Sequence, residues 1–396
     1  MIRLSKLAGS VQPSATLAAG AKARQLKAAG IKVYDFSLGE PDFPTPAHIG
    51  AAADAAVKGG HTHYTPVSGI PELRAAIAKW YKRFHGFDCT PEEVVVSNGA
   101  KQSIHNALAA LVGPGDEVVI PAPYWVSYSD LVTMTGANYV LVPTTMAAGF
   151  KMTPEQLKSA LSPRTRLLML NSPCNPTGVV YTRQELERLA DVILNTEAAV
   201  LSDEIYEQLT YGSAKPTCVA TLRPELKGRT ITVSGASKSY AMTGWRMGWA
   251  VAPPAVASAM GNIQSQETSC PSSVSQHALL AALEGPQDCV AEMRQEFEAR
   301  RELVCKLIGQ IPRVRIPKPD GAFYLFFDVS ACFGQTRGGV AVSDSLGFCK
   351  AALEQAHVNL VPGSAFGAEG FVRMSYATSR QEIEGGAAAL AKWLTA

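Results

Sequence analysis

Thr232-Val-Ser-Gly-Ala-Ser-Lys238-Ser-Tyr-Ala-Met-Thr-Gly-Trp-Arg246-Met-Gly248 reads as a β-branched strand that stops at Gly235, presents a lysine, and sets an arginine eight residues beyond it. A lysine amine condenses with an aldehyde only where it is held out of bulk water, and a phosphate group needs a fixed cation. The pairing therefore suggests a Schiff-base lysine beside a phosphate-binding arginine. Taken alone, a lysine after a strand is more often a solvated loop residue.

Three further segments shift that balance. Leu167-Leu-Met-Leu-Asn-Ser-Pro173-Cys-Asn175-Pro176-Thr-Gly178 is an apolar run, read as a strand buried on both faces, that ends in a Pro/Gly-punctuated turn. An asparagine there can donate a hydrogen bond to a phenolate-like oxygen, although an Asx-type turn is the commoner use of a bare Asn-Pro. Ala198-Ala-Val-Leu-Ser202-Asp203-Glu-Ile-Tyr206 is a second apolar strand releasing polar groups at its carboxyl end. A desolvated Asp203 carboxylate would keep a ring nitrogen protonated and Tyr206 would reach the phenolate; singly, such an aspartate is more often a helix N-cap. Phe371-Val-Arg373-Met-Ser-Tyr-Ala is a short strand carrying one arginine, suited to gripping a carboxylate or to charging a sheet edge. Pyridoxal phosphate, with its aldehyde, phosphate, ring nitrogen and phenolate, needs this set.

The order is specific: an asparagine, Asp-x-x-Tyr 28 residues on, a lysine 35 after the aspartate, an arginine eight later, and a late arginine. From Pro13-Ser-Ala-Thr16 to Arg373 the chain resembles the class I, fold type I pyridoxal-phosphate aminotransferases, and within them the bacterial aspartate aminotransferases of subgroup Ib. The resemblance implies an α/β fold, with a large domain built on a mainly parallel sheet flanked by helices and a smaller α/β domain. It places the small domain at 1–46 and 290–396 and the large one at 47–289. It makes Lys238 the lysine bonded to the cofactor, Asp203 the partner of the pyridine nitrogen, and Asn175 and Tyr206 the ligands of O3′. Arg246 and Ser237 then hold the phosphate, and Arg373 binds the substrate α-carboxylate.

Other segments extend the pocket. Glu93-Val-Val-Val-Ser-Asn98-Gly99-Ala100-Lys101 reads as a strand feeding a glycine turn and a helix from Gln102 to Leu111. The free amides of Gly99 and Ala100 would cradle a phosphate. Trp125 follows the strand that begins at Glu117 and matches the residue stacked on the cofactor ring in the family, where a core role is the plainer alternative. By the same resemblance Tyr64 is a phosphate ligand donated by a neighbouring subunit, so that a homodimer shares its sites, and the Gly39 amide contacts the substrate carboxylate. Lys101 matches the residue that recognises the distal carboxylate of aspartate or glutamate; otherwise it only adds charge beside the phosphate. Many members of the family carry a basic residue where this chain has Gln12, which weakens the case for prephenate.

Composition agrees without deciding. At 396 residues and 47% apolar, the chain can bury a large core, and a formal charge of +2 without Lys/Arg runs argues against nucleic acid. The eight cysteines lack Cys-x-x-Cys spacing, as in reduced cytoplasmic proteins, and Cys174 beside Asn175 is the candidate for oxidation. No apolar run is long enough for a membrane span and the first twenty residues lack a signal-peptide core. His61-x-His63 has no third ligand nearby, so no metal is expected.

The resemblance implies transfer of an amino group from L-aspartate or a related amino acid to 2-oxoglutarate, and the residue types fit two ping-pong halves with the freed Lys238 amine as general base and Asp203 and Tyr206 assisting. Aromatic amino acids or prephenate are alternative substrates, and a pyridoxal-phosphate lyase would share every cofactor residue. A regulator of the same fold would carry an added N-terminal DNA-binding domain, for which Ser37 leaves no room. A nucleotide-binding oxidoreductase is disfavoured because no Gly-x-Gly-x-x-Gly follows a strand.

Overall fold

Between residues 94 and 251 the chain alternates strands, most of them buried, with helices. This is the pattern that forces a parallel sheet, since each helix carries the chain back to start the next strand in the same direction. The computed structural model describes residues 2–11, 15–337 and 339–395; Gln12, Pro13 and Ser14 lie outside the described residues. The strands are β1 (Val94–Asn98), β2 (Glu117–Ala122), β3 (Asn138–Pro143), β4 (Thr165–Asn171), β5 (Ala199–Asp203), β6 (Thr230–Gly235) and β7 (Met247–Val251). Among the described residues they form one seven-stranded sheet in the order β1-β7-β6-β5-β4-β2-β3. All neighbours run parallel except β7, which is antiparallel to both β1 and β6. Every residue of β6 and β7 is buried, as a strand covered by helices on both faces requires.

A second sheet is antiparallel and small. It comprises β8 (Tyr324–Asp328), β9 (Val361–Pro362) and β10 (Phe371–Ser375), with β10 in the middle. Arg373 is thus on a central strand, 2% exposed, and not an edge-strand charge. The segment from Val361 to Gly370 opens with β9 and then a short 3-10 turn, Gly363–Phe366. A 22-residue helix, Asp288–Gly309, buries Phe297, Arg300 and Arg301.

Two buried arginines on one helix need partners. Arg300 donates to Asp42 Oδ1 at 2.7 Å and to Glu296 Oε1 at 2.9 Å, and lies against the Phe43 ring. The segment Ser37–Asp42 is therefore fastened to this helix just beyond the residues that reach the cleft.

The junction of β1 with the helix Ala100–Leu111 depends on two glycines. Gly99 has φ +86°, a left-handed conformation that only glycine adopts at low cost, and it turns the strand into the helix. Opposite it, a Cβ on Gly248 would overlap the Ala100 amide nitrogen and lie 2.8 Å from Ala100 Cα. Both obstacles are backbone, so relief requires moving the helix start. Gly248→Ala should cost about 1–3 kcal/mol of stability by overpacking. The urea midpoint of the apoprotein should fall with an unchanged slope; an unchanged midpoint would mean that the junction is looser than it looks.

Candidate active site at the strand ends

The carboxyl ends of β4, β5 and β6 open into a cavity of about 490 Å³, where open α/β sheets place their ligands. Eleven residues proposed from sequence line it: Gly39, Ala100, Lys101, Trp125, Asn175, Asp203, Tyr206, Ser237, Lys238, Arg246 and Arg373. They come from segments more than 300 residues apart in the chain, brought to one edge by the sheet order.

Asp203 is the last residue of β5 and is 4% exposed. Its Oδ2 accepts from the Tyr128 hydroxyl at 2.6 Å, and its Oδ1 from the Ile205 amide at 3.2 Å. The second bond is an Asx turn, so the local capping role and the pocket role coexist in one side chain. Burial pushes its pKa up to about 6, with the Tyr128 bond opposing that rise. Asn171, at the end of β4, donates to the Asp203 carbonyl at 2.9 Å and accepts from the Asn175 amide at 2.8 Å, which fixes the start of the Asn175 loop.

Lys238 sits in the short helix Ala236–Ser239 after β6, and its Nζ donates to the Gly39 carbonyl. Burial lowers its pKa to about 8, against the opposing pull of Glu40. An amine so placed is partly neutral near neutral pH, as a nucleophile or base must be.

Arg373 is held from three directions. Its guanidinium donates to the Ser37 carbonyl at 2.7 Å and to Asn175 Oδ1 at 3.0 Å, and lies over the Tyr324 ring at 4.5 Å. Its Nε is buried with no hydrogen-bond partner among the described residues. A buried, unpaired donor on a cation facing a cleft is fitted to an anionic ligand.

Arg246 reaches the start of the helix Ala100–Leu111, donating to the Asn98 carbonyl at 3.4 Å and the Thr243 carbonyl at 2.9 Å. Gly99 does not line the cavity; it packs against that guanidinium, where a Cβ would collide. Helix N-terminal amides, an arginine and Ser237 together suit a phosphate. Lys101 places its ammonium 4.9 Å from the centre of the Trp125 ring, and burial with the nearby Arg246 charge lowers its pKa. Tyr64 is 91% exposed and contributes nothing to the cavity within one chain.

Sequence reasoning missed the supports. Tyr128 meets Trp125 edge-on, with ring centroids 5.4 Å apart, and Tyr324 shares a 2.8 Å hydroxyl bond with Tyr206. Glu40 accepts from Thr243 at 2.9 Å at the cavity mouth. The signal for Tyr128 was its place three residues after Trp125, one helical turn; Tyr324 had none. Cys174, expected as oxidation-sensitive, is 8% exposed, and burial raises its thiol pKa, so little reactive thiolate forms.

The residues present thus offer an amine for an aldehyde, a carboxylate for a ring nitrogen, an anion site for a phosphate and an arginine for a carboxylate. Residues 31–390 match the family model "Aminotransferase class I and II". The chain is 47% identical over 383 residues to the aspartate aminotransferase of Geobacillus stearothermophilus, covering 97% of this chain and 96% of that one. It is 46% identical over 385 residues to the aspartate/prephenate aminotransferase of Cereibacter sphaeroides, with the same coverage. The crystal structure of the aspartate aminotransferase from Rhizobium meliloti superposes with a TM-score of 0.96 at 41% identity, over 100% of this chain and 99% of that one. That of the Thermus thermophilus aspartate aminotransferase with maleate gives 0.94 at 39% identity, over 100% of both chains. The chain belongs to the class I and II aminotransferases, and its cofactor is pyridoxal phosphate.

Proposed function

We propose that this chain transfers the amino group between L-aspartate, or a closely related amino acid, and 2-oxoglutarate by a ping-pong sequence, as a cytoplasmic homodimer with shared sites. The observation that carries the dicarboxylate reading is the presence of two cations, Arg373 and Lys101, in the wall of one cavity. A substrate with carboxylates at both ends uses both. An aromatic donor leaves Lys101 unpaired, which makes aromatic substrates and prephenate the weaker reading.

When bound, pyridoxal phosphate supplies an aldehyde for covalent attachment and a ring that takes up electrons. Lys238 provides the amine and, once released, takes the proton from the substrate Cα. Asp203 holds a proton at the ring nitrogen. Asn175, with its Oδ1 turned to Arg373, has its amide nitrogen for the phenolate, which the Tyr206 hydroxyl also reaches. Ser237, Arg246 and the amides of Gly99 and Ala100 hold the phosphate, joined by the partner subunit's copy of Tyr64. Arg373 and the Gly39 backbone orient the α-carboxylate.

The hydrophobic clusters support the discontinuous domain division. One joins Phe36 to residues between Met293 and Leu394, together with Tyr206 and its neighbours, while another runs from Ile49 to Val290. We assign 1–46 and 290–396 to the small domain and 47–289 to the large one. The cleft between them is the substrate entrance.

Three outcomes test this reading. Lys101→Ala should lower kcat/KM for aspartate and glutamate by roughly thirtyfold to more than a hundredfold relative to an aromatic donor, since only the dicarboxylates lose a charge-assisted bond of about 2–3 kcal/mol. A uniform loss would assign Lys101 to the phosphate. Mixing Tyr64→Phe with Lys238→Ala subunits should restore partial activity through hybrid dimers holding one intact site; no recovery after verified exchange would refute the shared site. In the apoenzyme, acylation of Lys238 should rise with pH through a midpoint of about 8, because only the neutral amine reacts and burial disfavours the charged form. A midpoint near the ordinary lysine value of about 10.4 would show the amine to be solvated.

A further inference from the structure

Behind the cavity, on the face of β5 and β6 away from Asp203, lies a second group of titratable side chains that the proposed chemistry leaves unused. Glu204 and Glu207 directly follow β5 and are 2% and 3% exposed. His85, at the end of the helix Pro71–His85, puts its Nε2 2.8 Å from Glu207 Oε2, in ion-pair rather than hydrogen-bond geometry. Glu207 Oε1 accepts from Ser234 Oγ at 2.6 Å, and Glu204 Oε1 from Ser202 Oγ at 2.8 Å and the Val219 amide at 3.1 Å.

Two features give this cluster a bearing on the site. Ser202 immediately precedes Asp203, and Ser234 stands four residues before Lys238 on the adjoining strand. The two glutamates therefore grip the strand ends that deliver the carboxylate and the amine. The second feature is the charge count. One imidazolium compensates one carboxylate, so the remaining glutamate is a surplus negative charge in a dry interior, and it either binds a proton or raises the proton affinity of its neighbours.

We propose that His85, Glu204 and Glu207 are positioning residues of the transamination site: they lock the ends of β5 and β6, and they keep the surplus proton of this acidic patch on Glu204 and off Asp203. The inference rests on the reading of Asp203 as the partner of the ring nitrogen. Glu204 is the member pushed well above the usual carboxylate range, by burial first and by Glu207 next, with His85 pulling the other way. Asp203 has what Glu204 lacks, the Tyr128 hydroxyl on one oxygen and the positive field of Lys238, and these oppose the smaller push that it too receives from Glu207. The other titratable groups facing the cluster are Tyr81 from the same helix as His85, Cys218 from the segment before Val219, and Tyr240 after Lys238. Burial raises the pKa of all three, so they stay neutral where Glu204 titrates.

The test is the ring-nitrogen resonance of 15N-labelled pyridoxal phosphate in the holoenzyme, followed against pH. Asp203→Asn checks the underlying reading: it should move the resonance to the unprotonated position, and no movement would remove the assignment of Asp203 itself. Given that movement, the wild type should show one small step above the usual carboxylate range, as Glu204 ionises. Glu204→Gln should abolish this step. His85→Gln, which removes the compensating cation, should shift it to higher pH, and Glu207→Gln, which removes a like charge, to lower pH. Packing defects alone would not produce opposite shifts. Persistence of the step in Glu204→Gln, or displacement in one direction by both other variants, would overturn the proposal while leaving Asp203 in place.

Discussion

Keeping a carboxylate ionised inside an apolar sheet is the constraint around which this molecule is arranged. Asp203 ends a strand whose neighbours on both sides are buried, and burial alone drives its proton affinity up. The chain opposes that with a tyrosine hydroxyl, a backbone amide from its own turn and the field of Lys238. None of these removes the desolvation cost entirely. The remainder is offset only when a cation lies against the carboxylate, and a protonated pyridine nitrogen is such a cation. The same dryness that raises the pKa of Asp203 lowers that of Lys238, so one environment moves both groups towards neutral pH.

That arrangement explains which parts of the site could be read from the sequence. Parallel strands all end at one edge, so polar residues that interrupt the chain just after apolar runs are forced towards a common place. Asn175, Asp203 and Lys238 were legible on that ground, as was the strand and helix alternation that sets the sheet; Arg373, inside a strand of the separate antiparallel sheet, was legible only as a lone late arginine and through the family resemblance. The supports were not legible, because their signal is the one that any core residue gives. Tyr128 and Tyr324 look like aromatic packing, and only the fold reveals that one hydroxyl meets Asp203 and the other Tyr206. Glu204 and Glu207 read as ordinary charges flanking a loop, yet they face an interior built by a helix more than a hundred residues earlier. Cys174 was misjudged for the converse reason: closeness in sequence to a site residue says nothing about which side of the backbone meets solvent.

Of the four cations that line the cavity, the two proposed for the substrate, Arg373 and Lys101, are built differently. Arg373 is buried, stacked on an aromatic ring and tied to two carbonyl oxygens, so its geometry is set before any ligand arrives. Such preorganisation suits the α-carboxylate, which every amino acid presents at the same place. Lys101 lies partly buried at a helix start, with its ammonium over the Trp125 face and no ion pair among the described residues. A flexible ammonium loses little when it goes unpaired, because water can serve it. On the proposed reading, discrimination through Lys101 is gain for a dicarboxylate rather than penalty for an apolar side chain, and gain of that kind is graded. Strict rejection of non-acidic donors requires a second element, a wall that closes on the side chain. The fastening of Ser37–Asp42 to the Arg300 helix places the backbone of such a wall, with Leu38 at the mouth and 42% exposed. On the proposed reading, selectivity then rests on two separate parts of the cavity wall, the Leu38 segment and the cation at the helix start.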